Sequence, residues 1–241
     1  MDRSDVSGVE KTVGCQMSKK ILYFFDASDW HSRMEVAHKA REKGFDVSIG
    51  LINGDKNEDG YKITPIKKSE NSVGVLASLG MVKSMRDLIK KERPDIVHIV
   101  TLKYSFMGGL AALGNDKKRK IYTMAGLGYL FRGDDNKSKL LRHALTPFLK
   151  FAFKRPDTTL IFQNADDMDL FVKGNFVNKE NANLIKGSGV YLDQFNNHAN
   201  EDAPPVILMP TRLVHEKGIH IFVEAARLLK AKGIKAKFQI A

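Results

Sequence analysis

Two cationic residues near the end of the chain have the types and spacing of a phosphate site. Arg212 and Lys217 lie on a loop between the apolar run 206–209 and an amphipathic stretch that begins at Ile219. A helix start offers free backbone N–H groups, and a guanidinium and an ammonium beside it can neutralise phosphate oxygens from two sides. This pattern indicates a diphosphate site, although the spacing alone favours two solvated charges on an ordinary loop.

The residues around that loop predict a strand, a helix and a second strand. An apolar stripe at helical spacing predicts the helix, Gly233 ends it, and 237–240 begins the second strand; the stripe comprises Ile219, Phe222, Val223, Ala226 and Leu229. Such a crossover packs on a parallel sheet. Because two strands and one helix bury little apolar surface, we expect the opening of a larger domain that continues beyond Ala241.

The earlier part of the chain alternates between strands and helices, which predicts an α/β fold with a Rossmann-like parallel sheet. The predicted strands are 21–26, 45–49, 61–66, 96–100, 120–123 and 158–162, and the predicted helices are 33–43, 75–91, 108–114 and 137–155. Pro147 should kink or divide the last helix. The residues expected to face inward from the helix 75–91 are Leu76, Leu79, Val82, Met85, Leu88 and Ile89.

Polar residues and glycines follow two of these strands. Ligands of open α/β sheets bind beyond the carboxyl ends of the strands. We therefore expect a cleft there, lined by Thr101, Lys103, Gly126, Leu127 and Gly128. The two glycines permit a turn that brings the main chain close to a ligand.

Two histidines and an arginine also lie in or near these strands. The first loop carries His31 and Arg33 as candidate site residues, and it lacks the glycine-rich fingerprint of a dinucleotide site. His31 is at least equally well explained as a solvent-facing residue at a helix start. His98, within the strand 96–100, is expected to be a hydrogen-bonded core residue.

Asp167 and Asp169 resemble a metal-binding carboxylate pair, but positions two apart on a helix point in different directions. Capping by Asn164 and acidic residues in the first helical turn explain them without a metal. We therefore expect neither a metal nor a cofactor.

The composition narrows the class of protein. The 241 residues carry a net charge of +11, which indicates an acidic partner, but the charge is spread along the chain and does not form a nucleic-acid-binding pattern. Cys15 is the one cysteine, which fits a reducing compartment. The polar segment 1–17 lacks a signal core, and we expect it to be disordered or to precede the true start at Met17.

Four segments together resemble a known family: IFQNADDMDLFV, LIKGSGVYLDQF, TRLVHEKGI and the phrase MAGLGYLF. They are similar to the GT-B glycosyltransferases of the large retaining family four, in particular to bacterial polysaccharide and lipid-carrier sugar transferases. The resemblance implies an acceptor-side domain at 18–195, a linker at 196–205 and the start of a donor-binding domain at 206–241. Arg212 and Lys217 would then hold the donor diphosphate. Thr211 and Ala125 depart from the family, where many members have glycine and histidine.

The implied reaction transfers a sugar, with retention, from a nucleotide diphosphate sugar such as a UDP-sugar to a lipid-linked saccharide. The nucleotide sugar would be a substrate, and the chain would act in the cytoplasm or on the inner face of the cell membrane, with peripheral contact through 137–155. Because the family's paired-glutamate motif would lie beyond Ala241, we expect little activity unless a further segment or a separate chain completes the donor domain. The alternatives are a non-catalytic module that binds an acceptor or a partner, and a sugar-nucleotide epimerase of the same fold.

Overall fold

The computed structural model describes residues 18–66, 75–114, 118–133, 135–187, 189, 204–211, 213 and 217–241. The chain divides into two compact units, Met1–Val190 and Tyr191–Ala241. The expected boundaries at 195 and 205 stay predictions, and the segment 1–17 lies outside the described residues.

The first unit contains a seven-stranded sheet in which every pair of neighbouring strands is parallel. Its strands are β1 (Lys20–Asp26), β2 (Asp46–Ile52), β3 (Lys62–Ile66), β4 (Ile96–Val100), β5 (Arg119–Met124), β6 (Thr158–Phe162) and β7 (Ala182–Leu184). They are arranged in the order β3-β2-β1-β4-β5-β6-β7. The predicted α/β class with a Rossmann-like parallel sheet is therefore confirmed.

Helices cover both faces of this sheet, but unequally. The helices are α1 (Trp30–Glu42), α2 (Val75–Glu92), α3 (Leu102–Ala111), α4 (Gly128–Arg132), α5 (Asn136–Phe153) and α6 (Ala165–Lys173). Side chains of α2, α3, α5 and α6 share one buried cluster with Leu22 and Phe24 of β1. The alternate β1 residues Tyr23 and Phe25 pack with α1 in a second cluster. Successive strand residues thus face opposite layers, as the period of a strand requires.

Three expectations for the helices need correction. Leu79 is 58% exposed, whereas Met81 is 3% exposed, because Met81 and not Leu79 shares the helical face of the buried Met85 and Leu88. The helix expected at 108–114 is α3, which begins at Leu102; it is buried on most sides and so shows little amphipathic periodicity. Finally, α5 continues through Pro147, so the division expected there is wrong, whereas the kink stays a prediction.

Charged side chains at the amino-terminal edge of the sheet form ion pairs. Glu92, which is 4% exposed, receives Lys20 Nζ on Oε2 and Lys62 Nζ on Oε1, each at 2.7 Å. Lys120, also buried, pairs with Asp157 across neighbouring strands. Removing one partner of a buried pair leaves an uncompensated charge, so the loss of either partner should destabilise the fold.

The second unit contains β8 (Val206–Met209), α7 (Ile219–Ala231) and β9 (Lys237–Ile240), and the two strands are parallel. The predicted stripe on α7 is confirmed: its five residues are the half-buried positions of the helix, and all others are exposed. Gly218 caps the helix start with φ 69°, and Gly233 follows its end with φ 75°. Among the described residues of this unit none is fully buried.

His98 is the hydrogen-bonded histidine that the sequence predicts. Its Nε2 lies 2.8 Å from Thr123 Oγ1, and its ring centroid lies 5.1 Å from that of Tyr23. Burial, and then the positive charge of Arg33, lower the pKa of His98 from 6.5 to about 4. His98 is therefore neutral at physiological pH.

This pKa predicts a pH-dependent stability. As the pH falls from 6.5 towards 4, the unfolded chain takes up a proton on His98 and the folded chain does not, so the free energy of unfolding falls. His98→Gln can keep the bond to Thr123 and cannot titrate. Urea unfolding at pH 7.5 and 4.5 should show a loss smaller in the variant than in wild type, by roughly 1–2 kcal/mol. Equal losses would contradict the assignment.

Candidate functional site

The order of the strands reverses between β1 and β4. From β1 the chain moves outward through β2 to β3, and from β4 it moves the other way through β5 and β6 to β7. The loops that follow β1 and β4 therefore leave in opposite directions and open a crevice at the carboxyl edge. This is where doubly wound sheets bind their ligands.

Asp26 is the hub of polar contacts at this crevice. It is the last residue of β1, and its Oδ2 accepts from Tyr104 Oη of α3 and from Asn53 Nδ2 after β2, both at 2.7 Å. Asn53 Nδ2 also lies 2.8 Å from Tyr104 Oη. Oδ1 accepts from the backbone N (3.0 Å) and Oγ (2.8 Å) of Ser28. One carboxylate thus ties together the ends of three elements.

These contacts decide the protonation of the cluster. Burial alone would raise the pKa of Asp26, but the hydrogen bonds from the Ser28 backbone, Tyr104, the Ser28 side chain and Asn53 outweigh it and lower this pKa below 3.8. Burial, and then the bond to Asp26, raise the pKa of Tyr104. Asp26 is ionised and Tyr104 keeps its proton. With four donors on its two oxygens, Asp26 acts as a positioning residue and not as a general base.

The backbone on either side of the hub is strained. Thr101 has φ 72° and ψ 147°, a region that is almost confined to glycine, and Asn53 has φ 56°. The Thr101 N–H donates to Thr123 O at 2.9 Å, and its C=O accepts from Ser105 N at 2.9 Å, which hold the residue in place. Strained residues of this kind cluster at ligand sites.

The glycine turn after β5 follows the same edge. Leu127 is 1% exposed and anchors the turn in the core, whereas Gly126 is half-buried and Gly128 is exposed. Gly128 has φ 56°, a left-handed conformation that favours glycine. A side chain at Gly126 would meet no atom within 4 Å, and its backbone is not left-handed. Glycine at 126 is therefore not required by packing and leaves open space at the edge.

The remaining first-unit candidates lie in different environments. His31 is exposed on the first turn of α1, and Lys103 is exposed on α3 with its Nζ 5.6 Å from the centre of the Tyr104 ring. Arg33 is half-buried and, with His98, Thr123 and Gln163, lines a mostly apolar cavity of about 190 Å³. His31 and Lys103 therefore reach solvent beside the strand ends, whereas Arg33 takes part in the layer between α1 and the sheet.

The two donor-site candidates belong to the second unit. Lys217 is exposed and directly precedes Gly218, the residue that caps α7. Arg212 and its neighbour His215 lie outside the described residues. The role of Arg212 and Lys217 in binding a diphosphate stays a prediction.

The acidic residues of α6 have structural partners. Asn164 caps the helix by accepting from Asp167 N at 2.8 Å, and Asp167 Oδ1 lies 3.2 Å from Arg132 Nη2. Asp169 accepts from Lys173 Nζ at 3.2 Å. Within the described parts of the chain no cluster of three or more His, Cys, Asp or Glu side chains is placed to hold a metal ion. None of the helices in these described parts is both long enough and apolar enough to cross a membrane.

Sequence patterns identified Thr101 and the glycine turn but missed the polar hub. Asp26 ends the apolar run ILYFFD, and a carboxylate at the end of a buried first strand is a signal that could have marked it. Asn53 and Tyr104 carry no such signal, because only the fold brings them within 3 Å of each other.

The fold and this edge define a Rossmann-like α/β protein with a ligand crevice at its strand reversal. Within that class, the chain belongs to the glycosyl transferase 4-like family, whose model matches residues 20–164. The family assignment made from the sequence is therefore confirmed.

Three known proteins illustrate the similarity. The chain is 22% identical over 223 residues to N,N'-diacetylbacillosaminyl-diphospho-undecaprenol alpha-1,3-N-acetylgalactosaminyltransferase of Campylobacter jejuni, covering 86% of this chain and 59% of that protein. A glycosyltransferase from Rickettsia africae superposes with a TM-score of 0.61 and 18% identity, over 93% of this chain and 68% of that one. A UDP-GlcNAc 2-epimerase from Neisseria meningitidis, bound to UDP-GlcNAc, superposes with a TM-score of 0.58 and 14% identity, over 92% of this chain and 64% of that one. At these identities the two structures show the fold alone.

Asp26 should stabilise the protein in a pH-dependent way. Because its pKa is lowered on folding, the stabilisation is present above pH 3.8 and is lost as the pH falls through the lower folded value. Asp26→Asn should be less stable than wild type at pH 6, and the difference in urea midpoint should shrink by pH 3. The matched control is Asp87→Asn, at an exposed position of α2, which should change the urea midpoint at pH 6 much less than Asp26→Asn does.

Thr101→Gly should raise stability. Relief of the strained backbone contributes roughly 1–3 kcal/mol, and the greater freedom of glycine in the unfolded chain offsets roughly 0.5–1 kcal/mol of it. We expect a net gain of about 1 kcal/mol in urea unfolding. Thr159→Gly, in the regular strand β6, should instead destabilise. A loss at both positions would show that Thr101 is not strained.

Proposed function

We propose that this chain acts in a glycosyltransferase that transfers a sugar from a nucleotide diphosphate sugar, such as a UDP-sugar, to a lipid-linked saccharide. One observation carries the proposal: the strand-end crevice with its polar hub lies inside the region 20–164 that matches the glycosyl transferase 4-like family. The chain spans 59% of the length of the curated relative cited above, so the activity of the whole protein is inferred from this part.

The crevice would hold the saccharide acceptor. Its rim presents an amide and an ammonium group that suit sugar hydroxyls, from the exposed residues Asn53 and Lys103. Asp26 and the buried Tyr104 hold the Asn53 amide through hydrogen bonds, so the acceptor meets a group whose orientation is already set. Preorganised positioning of this kind lowers the entropic part of the barrier to a reaction between two substrates.

The donor diphosphate would be held by Arg212 and Lys217, with no metal or cofactor. In the reaction, the acceptor hydroxyl oxygen forms a bond to the anomeric carbon while the bond from that carbon to the diphosphate oxygen breaks. The hydroxyl proton is released, and the diphosphate leaves with an added negative charge. A guanidinium and an ammonium from the residues that precede α7 in the sequence would stabilise that charge. Retention of configuration at the anomeric carbon is what the family resemblance implies.

The nature of both substrates is supported by the relatives. The Campylobacter jejuni protein is named for transfer to a diphospho-undecaprenol-linked sugar, which supports a lipid-linked acceptor. A neighbour of similar fold was solved with UDP-GlcNAc, which supports a UDP-sugar. That neighbour is an epimerase, so conversion of a UDP-sugar without an acceptor is the second candidate function.

The test combines two assays on the full-length natural protein. A panel of UDP-hexoses and UDP-N-acetylhexosamines is incubated with and without a polyprenyl-diphosphate-linked saccharide, and sugar transfer and epimerised donor are both measured. Transfer that requires both substrates is the expected result. Epimerised donor without acceptor would replace the proposal with the epimerase, and saturable acceptor binding without either reaction would identify a non-catalytic module.

Gly126→Ala tests whether the glycine turn contacts substrate. The added methyl group meets no protein atom, so thermal stability should change little, whereas a ligand occupying the open space would clash with it. We expect kcat/KM for transfer to fall by at least about tenfold, the effect of roughly 1.4 kcal/mol. Gly80→Ala on α2, which also meets no atom within 4 Å, should leave transfer unchanged and add roughly 0.5–1 kcal/mol of stability.

A further inference from the structure

Helix α5 has two apolar sides, of which only one faces the core. Its buried side chains pack against the main core cluster, and they include Leu145, Leu149, Ala152 and Phe153. The sequence pattern places Leu140, Leu141, Ala144 and Phe148 on the same apolar face as these residues, but the structure separates the two groups. Packing against the core therefore explains the apolar residues on the buried side of α5 but not those on its other side.

The second apolar side is exposed to solvent. Leu140 is 71% exposed, Phe148 54%, Phe151 56% and Leu141 43%. At about 3.6 residues per turn, positions 140, 144, 148 and 151 fall in one stripe along the helix. Three of these large side chains thus form one exposed stripe with Leu141 beside it, which exceeds the isolated surface hydrophobics that are normal for a protein.

Basic side chains flank this exposed stripe. Lys139 and Lys150 lie between it and the buried side, and Lys137 lies at its amino-terminal end. The helix Asn136–Phe153 contains no acidic residue, and Lys154 and Arg155 follow directly after it. An apolar stripe bordered by positive charge suits a surface that is apolar inside and anionic at its boundary.

We propose that α5 docks on the surface of an anionic lipid bilayer, with Leu140, Leu141, Phe148 and Phe151 inserted among the acyl chains. The exposed residues Lys137 and Lys139 would contact the anionic headgroups, whereas Lys150 is half-buried with its Nζ 5.4 Å from the centre of the Phe176 ring. The helix would lie in the plane of the interface. All the residues of this surface belong to α5, and its use in meeting a lipid-borne acceptor rests on the proposed function.

The fold connects this surface to the crevice. Arg142 donates from Nε to Leu130 O at 3.0 Å and from Nη2 to Gly133 O at 2.9 Å. Leu130 belongs to α4, which begins at Gly128 of the glycine turn. Because α5 runs from the carboxyl edge of β5 back to the start of β6, its first turn lies at the edge that carries the crevice. Docking would therefore bring the crevice close to lipid headgroups.

Vesicle sedimentation tests the proposal with the full chain and no sugar substrate. Vesicles of phosphatidylcholine with about one-third phosphatidylglycerol should retain the protein, and pure phosphatidylcholine should retain at least tenfold less, because each basic residue near an anionic surface strengthens binding several-fold. High salt should weaken binding to the anionic vesicles, because dissolved ions screen the attraction between basic side chains and headgroups. Equal partition into both vesicle types would overturn the electrostatic part of the proposal.

Two double variants separate the apolar and basic contributions. Phe148→Ser with Phe151→Ser should reduce partition at least tenfold, and Lys137→Gln with Lys139→Gln should reduce it roughly thirtyfold. The control on α2 is Leu79→Ser with Lys83→Gln, which removes one exposed apolar and one exposed basic side chain outside α5 and should leave partition unchanged. Circular dichroism and thermal unfolding check that each variant is folded.

Two results would overturn the membrane assignment. If the α5 and α2 variants lose binding equally, the attraction is a general effect of the net charge. If the aromatic variant changes sedimentation velocity of the protein alone but not vesicle partition, the stripe is an interface between copies of this chain. Because neither assay involves glycosyl transfer, failure here leaves the proposed function standing, and failure of transfer leaves this surface standing.

Discussion

The parallel pairing of β1 with β4 is the constraint on which the rest of the first unit depends. Four residue pairs, from Ile21 with Ile96 to Phe24 with Ile99, set the register of two strands that are far apart in sequence. This pairing places the end of β1 beside the end of β4 and sends the next loops in opposite directions. Without it Asp26 and Tyr104 would not meet, and there would be no crevice for polar groups to line.

The two edges of the sheet use charge in different ways. At the amino-terminal edge, Glu92 and Lys120 are buried and matched by opposite charges, so their contribution is to the stability of the fold. At the carboxyl edge, Asp26 is only half-buried, and its partners are uncharged groups that arrive from separate loops. The ionised carboxylate orients those groups, and their remaining hydrogen-bonding capacity stays available to a ligand.

Periodicity was enough to predict the sheet and most of its helices, because amphipathic and continuous apolar patterns are local properties of the sequence. It failed for Leu79, where two helical phases fit the same residues, and for α3, where burial on most sides removes the alternation that marks a helix. The site was predicted in part. Thr101 and Gly126 follow strands directly, so their place at the edge could be inferred, whereas Asn53 and Tyr104 reach Asp26 only through long-range pairing.

The absence of a side chain at Gly108 has a consequence for how ligands bind. An added Cβ there would lie 2.0 Å from Cδ1 of Ile99, so glycine at this position allows α3 to pack directly against β4. This close packing helps to set the place of Thr101 and Tyr104, which lie at the start of the same helix. A ligand that enters this part of the crevice would therefore meet residues whose positions depend on this packing.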